Sequence, residues 1–416
     1  MSRTAPGLTA PLRVTEFRAL WFAEAQSVAG DQLAKVALTL LVYSTTNSAL
    51  WAAVVYALTF LPALAGGLGL SQLADRYPRR SLMTTCALVQ AVLVGVMAIP
   101  GMSLPPLCAL VVAVQLVQSP LLAAQNAATR DVFDDDELYL RSQDLRGITT
   151  NTTMLLGLGG GGLLVTAIGT SCALLVNAAT FLVTAVLVHR VVKARPAAAR
   201  PGDGWFAGAR WVAGQRRMRV LLTLSWLVGL AVVPEGLAAP LAEEVGAGPA
   251  AVGWLLAADP LGFVVGAFVL SRYVPSHLRT KTIGVLATCS VGLLITFLTH
   301  PNLYVALVLL ALTGMVGAYQ ITVVALFNSW IPNEIRGGVM GVARTGLRVA
   351  QGIGVALGGA VAEMIGSVSH AIAAAGVLGV VIAIPATVEW ARIHREARGT
   401  TQTGNVLGYQ GGVSHR

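Results

Sequence analysis

The sequence predicts an all-α membrane protein whose twelve transmembrane helices form two pseudo-symmetric bundles of six. The composition, the succession of apolar runs and a repeat between the two halves of the chain support this fold class. Hydrophobic residues make up 55% of the 416 residues and charged residues only 11%, whereas soluble domains average about 25% charged residues. Because so apolar a chain cannot cover a globule of this size with polar surface, a soluble enzyme is excluded.

Twelve apolar runs follow one another along the chain. A transmembrane helix needs about 20 apolar residues, and the length allows about 35 residues for each run and its connection. We number these runs as segments 1 to 12. They lie at 17–44, 48–70, 81–100, 106–128, 142–167, 171–189, 220–240, 250–271, 282–299, 303–326, 339–365 and 368–390.

Arginine and lysine residues occupy alternate connections. Apart from Lys35, they lie at the N-terminus, in the connections after segments 2, 4, 6, 8 and 10 or at the flanking helix ends, and in the C-terminal stretch. The positive-inside rule places these regions in the cytoplasm. We therefore expect a multi-pass protein of the plasma membrane with both termini cytoplasmic. The alternation also explains the net charge of +9 without a nucleic-acid partner.

The longest hydrophilic interruption divides the segments into two sets of six. We predict a cytoplasmic N-terminus at 1–16, a first bundle at 17–189, a linker at 190–219, a second bundle at 220–390 and a disordered cytoplasmic tail at 391–416. In the linker, Trp205, Phe206, Ala209 and Val212 recur on one helical face beside several arginines. This pattern predicts an amphipathic helix on the anionic inner leaflet, with a solvated linker as the alternative.

A glycine pattern repeats between the halves. Gly157 and Gly354 each begin the pattern Gly, three residues, Gly-Gly, 197 residues apart. The repeat indicates a duplicated six-helix unit, and in one large class of transporters the substrate site lies between two such halves. Close helix packing is the expected role of these glycines, and helix bending is a second hypothesis. The set comprises Gly157, Gly159, Gly160, Gly161, Gly162, Gly354, Gly358 and Gly359.

The connection after segment 2 reads Ser-Gln-Leu-Ala-Asp-Arg-Tyr-Pro-Arg-Arg from Ser71 to Arg80. It resembles the signature loop of the major facilitator superfamily, Gly-x-Leu-Ala-Asp-Arg-x-Gly-Arg-Arg/Lys, with Ser71 and Pro78 where glycine is usual. Phe17-Arg18-x-Leu20-Trp21 and the stretch 331–337 are similar to the macrolide-efflux and siderophore-export branch. The resemblance covers about residues 15 to 390. It implies a drug:proton antiporter, although segment 4 lacks the mid-membrane arginine of better known antiporters.

The charges of this loop predict a latch on the cytoplasmic side. The resemblance implies that Asp75 faces the positive N-terminal end of segment 11, and Arg79 is placed to reach Asp131 at the end of segment 4. Such contacts would hold the halves together on that side. The alternative is a solvated loop whose charges only set the topology. The candidate latch comprises Asp75, Arg76, Arg79, Arg80 and Asp131.

Ionisable residues inside the apolar segments are candidates for proton coupling, because a charge at mid-bilayer costs at least about 2.5 to 3.5 kcal/mol. Glu24, Asp31 and Lys35 share one face of segment 1. Asp31 and Lys35 are spaced for an intrahelical pair, whereas Glu24 has no local cation and is expected to be the freer acid. Glu235 and Asp259 are the embedded acids of segments 7 and 8, with a structural role at a helix distortion as the alternative for Asp259.

The remaining polar residues of the inner segments predict a weakly polar cavity for a hydrophobic or amphiphilic molecule. The candidates are Gln115, Gln118, Asn151, Trp226, Tyr319, Gln320 and Gln351. Four cysteines in separate segments show no paired spacing, which favours neither a metal cluster nor a disulfide framework. The sequence also contains no Gly-x4-Gly-Lys-Ser/Thr loop for ATP. We therefore expect no cofactor and no metal.

These features together predict a secondary active exporter. It would act as a monomer and exchange protons for a small-molecule substrate by alternating access. One alternative is a facilitator or importer of a small organic solute. Another is a non-transporting membrane scaffold or sensor, which has little use for embedded acids.

Overall fold

The described part of the chain is helical throughout. The computed structural model describes residues 7–60, 73–133, 135–195, 205–332 and 335–408, with side chains except at 74–75, 205–207, 276–277, 328, 336–337 and 397–408. Within these ranges the chain forms α-helices and short 3-10 helices and no strand. The all-helical membrane fold predicted from the sequence is therefore confirmed.

Segments 1 to 6 form the first bundle. Their helices are Thr15–Thr46, Ala49–Ala57, Arg79–Met97, Leu104–Val132, Asp136–Ile168 and Thr170–Val191, and a short helix Leu73–Arg76 lies in the loop after segment 2. Segment 1 ends at Asn47, whose φ of 48° is left-handed, a conformation that asparagine tolerates. Ser48 then caps segment 2, because its hydroxyl accepts a hydrogen bond from the backbone N–H of Trp51.

Segments 7 to 12 form the second bundle. Segment 7 is broken into Arg216–Trp226, Val228–Ala231, Val233–Gly236 and Ala238–Glu244; the others are Ala250–Tyr273, Ser276–Gly292 with the 3-10 helix Leu293–Thr299, Leu303–Gly317 with Tyr319–Trp330, Arg336–Ile365, and Val368–Gly408. Prolines at 234 and 240 cannot donate helical hydrogen bonds, which explains breaks in segment 7. The last helix continues to Gly408, beyond the boundary at 390 and into residues for which the sequence predicts disorder.

Nine helices within the described ranges are long and apolar enough to cross a membrane. They correspond to segments 3 to 10 and 12. The helix of segment 2 ends at Ala57, within the described range, and is shorter than a membrane span. Segments 1 and 11 are long enough, but embedded charged residues lower their hydropathy.

The bundle has two chemically different ends. We call the end with the connections after the even-numbered segments the basic end, and the other the opposite end. At the opposite end the halves meet in two seams. In the glycine seam, a Cβ on Gly162 of segment 5 would collide with the backbone of Ala250 and Gly253 in segment 8. Because only glycine allows this approach, the backbones of the two halves touch there.

The second contact, which we call the glutamate seam, joins segment 11 to segment 2. A carboxylate oxygen of Glu363 accepts hydrogen bonds from the Ser48 hydroxyl at 3.0 Å and from the Leu50 N–H at 3.3 Å. Gly359 of segment 11 faces Ala53 of segment 2 without room for a side chain. An acid at a helix N-terminus is favourable. The two seams therefore close the opposite end.

The linker contains a helix at Trp205–Gly214. Val212 on this helix is buried, and Gly208 packs against Gly338 and Val339 at the start of segment 11. The side chains of residues 205–207, and with them the predicted face of Trp205 and Phe206, lie outside the described set. The expectation that the apolar face lies on the inner leaflet is wrong at Val212, because the second bundle covers it.

Glu244 fixes the beginning of segment 12. Its carboxylate accepts hydrogen bonds from the backbone N–H groups of Val368 and Ser369, and His300 lies 3.4 Å away. Burial alone raises the pKa of Glu244, but hydrogen bonds from Ser369 and Val368 and the charge of His300 outweigh burial and lower it overall. The ionised form is therefore the one that the fold stabilises.

We expect Glu244 to make stability pH-dependent on the acid side. Because its folded pKa lies below that of an ordinary glutamate, about 4.3, its contribution is present above that value. It is lost as the pH falls through the folded pKa. The melting temperature should therefore fall more between pH 6 and pH 3 in the wild type than in Glu244→Gln. Parallel pH profiles for the two proteins would contradict this assignment.

Candidate functional site

A group of ionisable residues lies where the two bundles face each other. Lys35 of segment 1 is within electrostatic range of Asp31 on its own helix and of Glu235 on segment 7. Asp259 of segment 8 is within range of Glu235. Four of the five residues predicted from sequence as proton-coupling groups are thus brought together from three segments, and both bundles contribute.

Two further members of this group come from the structure. The Tyr56 hydroxyl on segment 2 donates a hydrogen bond of 2.6 Å to Glu235, which joins the two halves. Arg348 on segment 11 lies with its guanidinium 5.4 Å from the centre of the Phe60 ring and within electrostatic range of Lys35 and Glu235. The six members, called the central cluster below, are Asp31, Lys35, Tyr56, Glu235, Asp259 and Arg348.

The central cluster contains more acids than cations. Its three carboxyl groups face two cationic groups, those of Lys35 and Arg348, so the fully ionised cluster has an excess of one negative charge. The expected intrahelical pair of Asp31 and Lys35 does not form: among the described residues, neither makes a direct ion pair. Among the described residues, Asp31 accepts one side-chain hydrogen bond, from the Asn177 amide at 3.4 Å.

A cavity of about 240 Å³ opens beside Asp31 and Lys35. Gln115 and Gln118, both predicted cavity residues, line it, and Arg348 reaches it from the second bundle. Apolar side chains of segments 3 and 4 complete its wall. The cavity is therefore more strongly charged than the weakly polar one expected from the sequence, because it holds two cations and a carboxylate.

The other predicted cavity residues lie elsewhere. Tyr319 is buried and donates to the Leu224 carbonyl at 2.7 Å, while the Gln320 amide donates to the Ser225 carbonyl at 2.7 Å. Trp226 lines a separate apolar pocket between segments 7, 11 and 12. Asn151 is exposed, and its amide donates to the Gly147 carbonyl. Gln351 is half-buried. Tyr319 and Gln320 thus bind segment 10 to segment 7 inside the second bundle.

Glu24 does not belong to the central cluster. Arg146 of segment 5 binds it in a bidentate ion pair, with Nε 2.5 Å from Oε2 and Nη2 2.9 Å from Oε1. Asn126 of segment 4 accepts a further hydrogen bond from Arg146. The expectation that Glu24 is the freer acid is therefore wrong. Its partner lies 122 residues away in the sequence, where spacing along one helix gives no signal.

We expect the Glu24–Arg146 pair to matter for stability. Arg146→Met would leave the Glu24 carboxylate buried without its cation, and breaking a buried pair in this way costs about 3–5 kcal/mol. Unfolding of the purified protein in mixed micelles with increasing SDS should show a loss of this size. The double variant Glu24→Gln/Arg146→Met should recover much of it. A loss below about 1 kcal/mol for the single variant would show that the pair is energetically unimportant.

The candidate latch is described in part. Arg79 forms an ion pair with Asp131, and its guanidinium also donates to the Ala127 carbonyl at 3.1 Å. Both partners belong to the first bundle, so this pair joins segments 3 and 4 and does not bridge the halves. Arg76 is exposed and Arg80 half-buried, while the side chain of Asp75 lies outside the described set.

The repeated glycines fall into two groups. Gly157 and Gly161 lie against Gln32 and Val36 of segment 1, and Gly162 forms the glycine seam. A Cβ on Gly159 would lie 3.7 Å from Ala257, which is an ordinary contact. A Cβ on Gly160 would have no neighbour from another helix within 4 Å. In the second half, two glycines pack on segment 7 and one on segment 2: Gly354 lies against Gly229, Gly358 against Val233, and Gly359 against Ala53. Packing thus accounts for most of the set, and segment 5 is one continuous helix.

Two helical bundles with ionisable groups between them are an arrangement found in membrane transporters. Residues 20–234 and 222–406 each match the model of the Major Facilitator Superfamily. Because these matches cover most of the sequence, the chain belongs to that family. A search of curated protein sequences finds no match.

Several solved structures share this fold. One is a bacterial homolog of the human lysosomal transporter Spinster in an inward-facing and unoccupied conformation. Its TM-score is 0.70 at 14% sequence identity, and the match covers 92% of this chain and 97% of that one. The nucleoside transporter NupG has a TM-score of 0.69 at 15% identity, with 90% and 98% coverage. The POT family transporter PepTSo has a TM-score of 0.71 at 12% identity, with 92% and 99% coverage. At these identities the likeness concerns the fold.

Proposed function

We propose that this protein is a secondary active exporter that exchanges protons for a hydrophobic or amphiphilic small molecule by alternating access. The observation that carries this proposal is the central cluster, whose acids and cations come from both bundles. Embedded charges are costly in a membrane protein unless they have partners or a task. The two halves must move apart in a transport cycle, and a charged cluster that both halves share can serve that cycle by binding protons and substrate.

The charge of the cluster supports proton exchange. One proton balances its excess negative charge, and a donor group of the substrate can satisfy the same carboxylate. A protonated carboxyl group no longer attracts such a donor strongly, so proton and substrate compete for one acid. Competition of this kind is the condition for antiport. Asp31 is the best candidate, because it lines the cavity and has one long hydrogen bond.

The direction of export rests on the two ends of the bundle. By the positive-inside rule, we assign the basic end to the cytoplasm and place both termini there. The two seams then close the outer side, and the central cluster is reached from the cytoplasm. The apolar wall of the cavity beside the charged groups favours a substrate with a polar head and a hydrocarbon body. We propose the cytoplasmic membrane as its location.

Uptake into inside-out vesicles tests this function. Vesicles with an acidic lumen should accumulate at least one member of a panel of amphiphilic compounds, and collapse of the pH gradient should release it. Vesicles without the protein are the control. Uptake that is independent of the pH gradient and stops when the two sides have equal concentrations would favour a facilitator. Movement in the direction of the proton flow would favour an importer, and binding without movement a sensor.

A further inference from the structure

The cavity beside Asp31 contains hydrogen-bonding groups of both kinds without partners. Gln90 is fully buried, and its amide nitrogen donates to Gln118 Oε1 at 2.6 Å and to the Val114 carbonyl at 3.3 Å. A backbone carbonyl can only accept, so this orientation of the amide is fixed. The oxygen Oε1 of Gln90 has no donor within the part of the chain that the structure describes.

A second acceptor has the same property. Gln32 is buried with 7% of its surface exposed, and its Oε1 has no hydrogen-bond partner among the described residues. Both glutamines line the cavity together with the carboxylate of Asp31. A buried acceptor without a donor is costly, and burying one near a carboxylate concentrates acceptors in one place. A ligand group with several N–H donors would satisfy them.

Cations without direct partners line the same cavity. Lys35 and Arg348 both line it. Neither forms an ion pair or a side-chain hydrogen bond with any residue of the described ranges; Arg348 contacts the ring of Phe60. These two cations lie within electrostatic range of each other, and like charges repel. An acidic ligand group placed between them would remove that repulsion and accept their hydrogen bonds.

We infer that the substrate carries a zwitterionic head, with an ammonium group and an acidic group joined to a hydrocarbon body. The ammonium donates to Asp31 and to the free oxygens of Gln90 and Gln32, and the acidic group accepts from Lys35 and Arg348. A volume of about 240 Å³ accommodates a head group of this size. Lys35 and Arg348 belong to opposite bundles, so the acidic group contacts both halves. This inference rests on the proposed function, since it names the substrate class of the same site.

Three probes with the same hydrocarbon chain test the inference. Tritiated 2-aminooctanoate, which is zwitterionic, is bound to the protein in lipid nanodiscs, and unlabelled octylamine or octanoate competes with it. Empty nanodiscs correct for partition into lipid. The zwitterion should bind at least about tenfold more tightly than either singly charged probe, because each charge-assisted hydrogen bond contributes to affinity. Equal affinity of octylamine or octanoate would overturn the inference.

Variants identify the groups responsible. Arg348→Gln and Lys35→Gln should each weaken 2-aminooctanoate binding about tenfold, whereas octylamine, which has no acidic group, should bind at least as tightly as it does to the wild type. Arg344→Gln is the matched control, because Arg344 lies one turn away on the same helix and is not among the residues that line the cavity. Equal effects of Arg348→Gln and Arg344→Gln would overturn the assignment.

The binding assay uses no gradient, so its result separates the two proposals. If the zwitterion binds with this preference but a pH gradient does not move it, the proposed antiport is contradicted and the inferred substrate class is not. If a singly charged amphiphile is exchanged for protons and the zwitterion binds no more tightly than it does, the inferred zwitterionic head group is contradicted and the proposed antiport is not.

Discussion

Asp31→Asn should abolish pH-gradient-driven accumulation of any compound that the wild type accumulates in inside-out vesicles. Asparagine has nearly the same shape and can keep the contact with Asn177, but it cannot take up or release a proton. The charge excess of the central cluster also disappears with this substitution. We therefore expect folded protein that binds substrate more weakly, with exchange between labelled and unlabelled substrate retained at saturating concentrations and coupling to the gradient lost.

Glu24→Gln is the control for this prediction. Glu24 lies on the same helix, two turns away, and is held by Arg146. Its substitution should lower thermal stability and leave gradient-driven accumulation in the folded fraction close to that of the wild type. Equal loss of coupling in Asp31→Asn and Glu24→Gln would remove the special role of Asp31. Full coupling in Asp31→Asn would have the same consequence.

Gly162→Leu should hold the opposite end open. A Cβ at this position would collide with the Ala250 carbonyl oxygen and the Gly253 backbone nitrogen, so a larger side chain cannot be accommodated without separating segments 5 and 8. The protein should therefore accumulate in a state open on the side that we assign to the exterior. Transport should fall to background, since a cycle that cannot close one side cannot be completed.

Gly160→Leu is a matched control, because no atom lies within 4 Å of a Cβ built there. Spin labels on cysteines that replace Thr46 and Gly248, in a background without the native cysteines, report the separation of the halves at the opposite end. Gly162→Leu should lengthen that distance, and Gly160→Leu should match the wild type. Identical distance distributions for the two variants would show that the glycine seam does not control closure.

Much of the architecture follows from local physics of the sequence. Apolar runs of sufficient length have few alternatives to membrane helices, and the embedded acids Asp31, Glu235 and Asp259 are conspicuous because charge is rare there. The breaks in segment 7 are less predictable, because its prolines lie within a long apolar run that by itself indicates one continuous helix. The continuation of the last helix to Gly408 is likewise not indicated by its Gly, Thr and Gln content.

The errors come from contacts between distant parts of the chain. The distribution of basic residues places every arginine in a connection, a terminal stretch or a flanking helix end, but the helix of segment 11 begins at Arg336, so Arg348 lies about three turns inside it. Tyr56 resembles an ordinary residue of an apolar run until Glu235 of the other half is seen beside it. Glu24 was expected to be unpaired because its partner Arg146 is on another helix. How deep a charged residue lies in its helix bundle, and which residue it pairs with, can be determined only once the packing of the helices is known.

The most direct test of the central claim is a measurement of proton release on substrate binding. Purified protein in weakly buffered nanodiscs near neutral pH is mixed with a substrate identified from the vesicle assay, and the change in pH is recorded. If substrate and proton compete for Asp31, binding should release up to about one proton per transporter, and Asp31→Asn should release none. Saturating binding without a proton signal in the wild type, or an unchanged signal in Asp31→Asn, would contradict the account.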